Sequence, residues 1–446
     1  MELKLPKVFT HRNAGSRIIL TFFAALIGVG TLLLMLPFAS ETGGASLLDA
    51  LFTSTSAVCV TGLTVQDTAT FWTPFGKTVI LMLVQLGGLG VLTSVLFMSF
   101  LADRGKSVVR RNLIKDAISA PQIGGIFNLT RFILTATFAA ELIGAIALLP
   151  AFTRAYGFIE GSAAAIFHSV SAFCNAGLDI LGNQERFASL AAFGGDAGVL
   201  LTTTALVIVG GIGFLTWDDL RAHGLRIKRY RLQTKLVLLG TAVLLLVPFL
   251  YFFFIEFARL PFGRRLLTSW FSAVTPRTAG FATIDYGTMS DSGLLLTTVL
   301  MLFGGSSGST AGGIKVTTLM VVIFSCACVL QRRKETVVFN RRIRNEVVRS
   351  AFAIFTIYVM LLFAGTIFLC SFEGLPLVGA MFECASALAT VGLSTGITPT
   401  LSVLSKLMLI AFMYFGRVGG LTLAYAVSSE GASGVSKHAV ERVSIG

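Results

Sequence analysis

The sequence predicts an all-α polytopic membrane protein assembled from four copies of one unit. Three observations carry this. The 446 residues are 54% hydrophobic and only 13% charged, against about a quarter charged in a soluble domain, and the mean hydropathy is +0.83. Apolar runs of the roughly 20 residues that a bilayer crossing needs recur along the whole chain. One short motif returns four times, as Ala57-Val58-Cys59-Val60-Thr61-Gly62-Leu63, Ala172-Phe173-Cys174-Asn175-Ala176-Gly177-Leu178, Pro276-Arg277-Thr278-Ala279-Gly280-Phe281 and Leu388-Ala389-Thr390-Val391-Gly392-Leu393. Its glycines fall roughly 110 residues apart, the mark of an internal repeat.

The elements follow in order. The run 18–39 exceeds the roughly 7–15 residues of a signal-peptide core, so it is read as the first membrane helix. Further long runs lie at 77–101, 131–153, 197–217, 234–257, 293–330, 350–371 and 404–426. Between the members of each pair sits an apolar segment too short to cross, at 47–60, 161–175, 266–276 and 379–390, and each leads into one of the four glycines. Loops at membrane depth leave backbone groups unpaired unless they are buried in protein or line water. The reading is therefore a unit of helix, short re-entrant helix, glycine loop and helix, repeated four times around a single axis, with eight transmembrane helices plus four re-entrant helices. Repeat boundaries are expected at 1–115, 116–230, 231–345 and 346–446, the last including a cytoplasmic tail.

A net charge of +13 raises nucleic acid as a partner, but the basic residues lie in connectors between apolar runs, where topology explains them. They are Lys4, Lys7, Arg12 and Arg17; Arg104, Lys106, Arg110, Arg111 and Lys115; Arg221, Arg226, Lys228, Arg229, Arg231 and Lys235; Arg332, Arg333, Lys334, Arg341, Arg342, Arg344 and Arg349; and Lys437 and Arg442. All fall on one side, which places both termini in the cytoplasm. The opposite side holds Glu41, Asp49, Asp67, Glu160, Asp179, Glu185, Asp285 and Asp291 against Arg154, Arg186, Arg259, Arg264 and Arg265. Such an acidic bias either raises the local cation concentration at a pore mouth or simply solubilises loops. The six cysteines offer no metal spacing beyond Cys326-x-Cys328, and the four histidines, His11, His168, His223 and His438, are scattered. A membrane enzyme would need such groups clustered.

The glycine loops suggest a chemistry. A cation entering a membrane exchanges its water shell for other oxygens, and rings of backbone carbonyls serve potassium in this way. Turning successive carbonyls one way needs backbone angles that glycine adopts cheaply. The pairs before each glycine, Val60-Thr61, Asn175-Ala176, Thr278-Ala279 and Thr390-Val391, would supply those carbonyls with Gly62, Gly177, Gly280 and Gly392. The alternative for any single motif is close helix packing; four in phase favour the carbonyl ring.

A second glycine feature follows each loop: Gly87-Gly88-Leu89-Gly90, Gly210-Gly211-Ile212-Gly213, Gly304–Gly313 and Gly416-Arg417-Val418-Gly419-Gly420. In repeats one, two and four, helix packing is the simplest reading. The third is different. Gly304-Gly305-Ser306-Ser307-Gly308-Ser309-Thr310-Ala311-Gly312-Gly313 interrupts an over-long apolar run, and glycine costs about 1 kcal/mol per residue in a helix. A broken helix at mid-membrane depth is expected there, placed as a gate. Arg417 lies within the last apolar run, where a charge is costly and usually functional. It is expected to form a barrier or to pair with carbonyls of the broken segment; snorkelling to the cytoplasmic face is the alternative. Glu141, also intramembrane, is read as a hydrogen-bonding partner of a neighbouring helix or filter-supporting loop.

The motifs Phe167–Gly177, Ala273–Phe281 and Ser309–Lys315 resemble those of the Trk/Ktr/HKT superfamily of potassium transporters, in particular the KtrB-type pore subunit of bacterial Ktr systems. The resemblance spans nearly the whole chain. It implies potassium uptake through four helix–pore-loop–helix units around one pore, with filter glycines at Gly62, Gly177, Gly280 and Gly392. It also implies a gating loop at Gly304–Gly313 and a pore arginine at Arg417. It further implies a homodimer in the bacterial inner (plasma) membrane bearing a KtrA-like cytosolic ring of nucleotide-binding regulatory subunits. Potassium is then the substrate, sodium a candidate activator, and nucleotide is expected only on the partner, with no covalently bound cofactor. A sodium-coupled or sodium-permeable alternating-access transporter is the competing reading. Such folds usually show two inverted halves, whereas four short parallel units are expected here.

Overall fold

A computed structural model describes residues 14–90, 126–182 and 187–419. In the first repeat, α1 (Ala14–Leu34) leads to α2 (Leu47–Val58) and then to α3 (Pro74–Gly88). Ser46 caps α2 by accepting from the Asp49 amide, and Thr73 followed by Pro74 opens α3. The second repeat runs α4 (Ile126–Tyr156), α5 (Phe158–Cys174), α6 (Ala197–Ile212) and α7 (Phe214–His223). The third runs α8 (Leu232–Tyr251), a π turn at Phe252–Glu256, α9 (Phe262–Val274), α10 (Asp291–Met301) and α11 (Val316–Leu330). A small antiparallel hairpin, β1 (Val337–Val338) with β2 (Arg341–Arg342), then precedes α12 (Asn345–Glu373), α13 (Leu377–Leu388) and α14 (Val403–Val418).

Among the described residues, four helices are long and apolar enough to cross a membrane: Arg17–Leu34, Thr130–Tyr156, Leu232–Glu256 and Asn345–Glu373, with mean hydropathies between 2.1 and 2.5. Each turns large apolar side chains outward, among them Leu32, Ile143, Val247 and Ile367, all at least 60% exposed. Such faces suit lipid rather than water. The short helices α2, α5, α9 and α13 are the reverse, with their C-terminal halves buried almost completely.

Packing between repeats runs in one direction and closes on itself. The helix after each glycine loop packs against the short helix of the next repeat: α3 on α5, α6 on α9, α10 on α13, and α14 back on α2. Within each unit, glycine lets the helix after the loop lie close against the short helix before it. A β-carbon at Gly87, Gly210 or Gly416 would strike the main-chain oxygen of Val58, Phe173 or Leu388 respectively, each on the short helix of the same repeat.

Two long runs fold differently from a single crossing. The stretch 197–217 bends by 91° between α6 and α7. The bend is at Gly213, whose φ of +92° is left-handed space that glycine enters without strain. The carbonyls of Gly210 and Gly211 leave the helix ladder and accept from the Thr310 and Ser306 amides of the third repeat, at 3.4 and 2.9 Å. The packing glycines of repeat two are thus also a corner shaped by repeat three. The over-long run 293–330 divides into α10 and α11, with the irregular stretch 302–315 between them. Lys4, Lys7, Arg12, Arg104–Lys115, Glu185, Arg186, Gly420, Lys437 and Arg442, with both termini, lie outside the described residues.

Candidate functional site: a ring of four glycine loops

Each loop begins where a buried short helix ends. Residues Val60, Asn175, Thr278 and Thr390, two before each glycine, have φ of 56, 60, 62 and 53°. For β-branched Val60, Thr278 and Thr390 this left-handed conformation is a genuine outlier, costing on the order of 1–3 kcal/mol per residue. The glycines themselves have φ of 90, 63, 79 and 96°. The same alternation of backbone sense in all four loops shows that surrounding contacts impose it.

Those contacts come from hydroxyls on the short helices. Ser56 and Ser386 accept from the amides of Gly62 and Gly392, both at 3.0 Å. Ser171 donates to the Leu178 carbonyl at 2.7 Å, and Thr275 to that of Phe281 at 2.5 Å. In loop four the fully buried Glu383 adds a clamp, accepting from Ser394 Oγ at 2.5 Å, Thr398 Oγ1 at 2.7 Å and the Thr395 amide at 3.0 Å. The sequence reading missed Glu383, since a lone acid in an apolar helix gives no sign of its partners. The serines were legible as a spacing, because Ser56, Ser171 and Ser386 each stand six residues before a glycine.

The four loops meet edge to edge. A β-carbon at Gly62 would strike the Ala176 carbonyl oxygen, and one at Gly177 would come within 2.6 Å of that of Ala279. At Gly280 it would strike the oxygen of Val391, and at Gly392 that of Thr61. The order is one to two, two to three, three to four and four to one. Four main-chain oxygens therefore alternate with four glycines in a closed ring. All four glycines line one cavity of about 420 Å³, together with Asp67, Asp179 and Asp285. Asp67 also ties loops one and two together, accepting from the Phe187 amide at 3.1 Å.

On the other side of the ring lies the stretch Gly304–Gly313. Thr310 donates through Oγ1 to the Phe173 carbonyl at 3.1 Å. A β-carbon at Gly304 would meet the Thr278 methyl at 2.9 Å, and one at Gly312 would strike Thr390 Oγ1. The stretch thus touches residues just before the glycines of loops two, three and four. Arg417 does not snorkel. Its guanidinium donates to the carbonyls of Thr310, Gly87 and Gly88, the last at 3.0 Å. It thereby satisfies carbonyls of both the irregular stretch and the buried C-terminal end of α3. Lys315 donates through Nζ to the Ala311 carbonyl at 2.6 Å. Glu141 lies behind the ring: its carboxylate is 4.0 Å from Cys174 Sγ, and its carbonyl accepts from Ser169 at 2.5 Å.

Residues 4–437 match the family model for TrkH, described as a cation transport protein. The chain belongs to that family. Among TrkH-family relatives it is 38% identical over 420 residues to the Ktr system potassium uptake protein B of Bacillus subtilis (strain 168), covering 93% of each chain. It is 37% identical to the potassium/sodium uptake protein NtpJ of Enterococcus hirae, covering 99% of each. Its fold matches the crystal structure of the potassium transporter TrkH from Vibrio parahaemolyticus with a TM-score of 0.75 at 21% identity, over 95% of this chain and 86% of that one. As a TrkH-family chain with several membrane-length apolar helices, it is a membrane protein. Among the described residues no group of three His, Cys, Asp or Glu side chains is placed to hold a metal ion, and the six cysteines are unpaired.

Proposed function

We propose that this chain takes up potassium as the channel-like, ion-translocating subunit of a Ktr-type system in the bacterial plasma membrane. The observation that carries the reading is the closed ring in which the oxygens of Thr61, Ala176, Ala279 and Val391 alternate with Gly62, Gly177, Gly280 and Gly392. Main-chain oxygens held in a fixed ring can replace the water around a monovalent cation, and carbonyl dipoles need no titratable group to do so. The pairs Val60-Thr61, Asn175-Ala176, Thr278-Ala279 and Thr390-Val391 are then the coordinating rungs. The cavity with its three aspartates is the outer approach, and Gly304–Gly313 with Arg417 is the gate beneath.

A homodimer carrying a cytosolic, nucleotide-binding regulatory ring belongs to the same proposal. Its support is the Ktr-system name of a relative at 38% identity and the exposed basic connectors around Arg226–Arg231 and Arg332–Arg344. Both termini are then cytoplasmic by charge placement. A sodium-permeable or sodium-coupled variant is supported by the name of the Enterococcus hirae relative, which covers essentially the whole chain.

One experiment tests the reading. The chain, with its co-encoded soluble partner, is expressed in cells lacking their own potassium uptake, and growth at limiting potassium is followed with rubidium and sodium flux. Rescue with rubidium flux well above sodium flux is expected. Sodium flux equal to rubidium flux favours the sodium-permeable variant, and no rescue by well-expressed protein overturns the proposal.

A further inference from the structure

A second cavity, of about 300 Å³, opens beside the ring where the π turn Phe252–Glu256 hands over to α9. It is lined by two guanidiniums, Arg259 and Arg264, two carboxylates, Glu256 and Asp285, and the Thr283 hydroxyl. Both arginines are exposed, and the ion pairs among the described residues involve neither of them. Their neighbour Arg265 is committed elsewhere, stacked 4.1 Å from the Phe253 ring centroid and donating to the Phe253 carbonyl at 2.5 Å. Thr283 is only 8% exposed, yet its Oγ1 has no hydrogen-bond partner. A buried hydroxyl left unpaired is destabilising, and a ligand oxygen would pair it.

The surroundings say what kind of molecule fits. Phe254, Ile255 and Phe262 flank the cavity-lining residues in the chain and are 61, 63 and 72% exposed. Charge placement assigns Arg259 and Arg264 to the side opposite the basic connectors, and on that orientation the rim of the cavity would meet the outer leaflet. Fixed charges of both signs are present. Glu256 is oriented by Ser290, through its amide at 3.0 Å and its hydroxyl at 2.6 Å, and Asp285 by the Gly287 amide at 2.8 Å. Two cations suit a phosphodiester, which guanidinium groups bind bidentately. Two carboxylates beside them suit a primary ammonium.

We propose that this cavity binds the headgroup of a zwitterionic phospholipid of the phosphatidylethanolamine class. Arg259 and Arg264 hold its phosphate, Glu256 or Asp285 its ammonium, and the acyl chains run over Phe254, Ile255 and Phe262. Asp285 and Ile284 line both this cavity and the one above the ring, so a bound headgroup would brace the third loop from behind.

Purified full-length protein in detergent is given equimolar phosphatidylethanolamine and phosphatidylglycerol of matched chain length, and retained lipid is read by native mass spectrometry. Wild type is expected to retain phosphatidylethanolamine preferentially. Arg259→Gln/Arg264→Gln should lower that retention by about tenfold, the worth of roughly 1.4 kcal/mol, and remove the preference. Thr283→Val should lower it less, and Arg154→Gln, which is not part of the cavity, should leave it unchanged. Retention by the double variant equal to wild type, or a wild-type preference for phosphatidylglycerol, overturns the proposal. So does displacement of the lipid by inorganic phosphate alone, which would make the cavity a general anion site.

Discussion

Arg417 in α14 donates to the main-chain oxygen of Thr310, 107 residues earlier in the chain. One side chain therefore ties the last helix to the irregular stretch under the glycine ring. Through Gly87 and Gly88 it also ties both to the end of α3. A charged hydrogen bond is worth about 1.5–3 kcal/mol, enough to bias a two-state element.

Arg417→Ala is therefore expected to raise rubidium flux into proteoliposomes by about tenfold and to reduce its dependence on any soluble partner. Arg417→Lys, with one compact donor group instead of a fork, should lie between. Flux unchanged in both variants would remove Arg417 from the gate.

Substitution of any ring glycine by serine places a β-carbon against the neighbouring loop's oxygen and strains a left-handed residue. Gly62→Ser, Gly177→Ser, Gly280→Ser and Gly392→Ser are each expected to lower potassium affinity and to raise the sodium-to-rubidium flux ratio. Because the ring is closed, a change at Gly392 acts on Thr61 in the first loop as much as on its own. Normal selectivity in all four variants would show that the ring is not the filter.

Much of the helical fold could be read directly. The segment 47–60 contains α2 at Leu47–Val58, and 379–390 overlaps α13, which starts two residues earlier at Leu377 and ends at Leu388, because apolar length is a local property. The bend at Gly213 could not be read, since it depends on Ser306 and Thr310, which lie roughly 100 residues away in a different repeat. The glycines of the ring were legible for a different reason, the recurrence of their motif four times in phase. The left-handed Val60, Thr278 and Thr390 were not, because β-branched residues oppose that conformation locally and only the assembled ring enforces it.

The hydroxyls behind the ring give a graded test. Ser56→Ala and Ser386→Ala each remove an acceptor from a ring glycine amide, at a cost of about 1 kcal/mol. Each should weaken discrimination against sodium several-fold less than a glycine substitution does. Glu383→Gln should act more strongly on loop four, since the acid accepts three hydrogen bonds of 3.0 Å or less and an amide oxygen accepts fewer. Competition flux of rubidium against sodium ranks the three; equal effects from all would contradict the order.

External pH should matter through Asp179, in the loop above the ring. Burial, and then the Asp67 carboxylate nearby, push it up to about 6. Its charge is present above that value and lost as external pH falls through it, so the cavity attracts cations less on the acid side. Rubidium uptake at low concentration should therefore drop as external pH falls through about 6, and Asp179→Asn should flatten that step. A variant with an unchanged step would assign it to another group.

Deletion of Ser306–Gly308 tests the gate itself. These residues hold the stretch to the corner in repeat two: the Ser306 amide donates to the Gly211 carbonyl at 2.9 Å, and the Gly308 carbonyl accepts from the Phe214 amide at 2.8 Å. Removing them cuts both ties at once, and it shortens the segment without touching the contacts of Thr310 with Phe173 and Arg417. If the stretch obstructs ions when ordered, the deletion should raise flux more than Arg417→Ala and make it indifferent to a regulatory partner. If the stretch only joins α10 to α11, shortening it should strain both helices and lower expression and flux together. Rubidium flux per correctly folded protein, judged by size-exclusion elution, separates the outcomes. A well-folded deletion whose flux is at or below wild type would mean that the obstruction lies elsewhere in the pore.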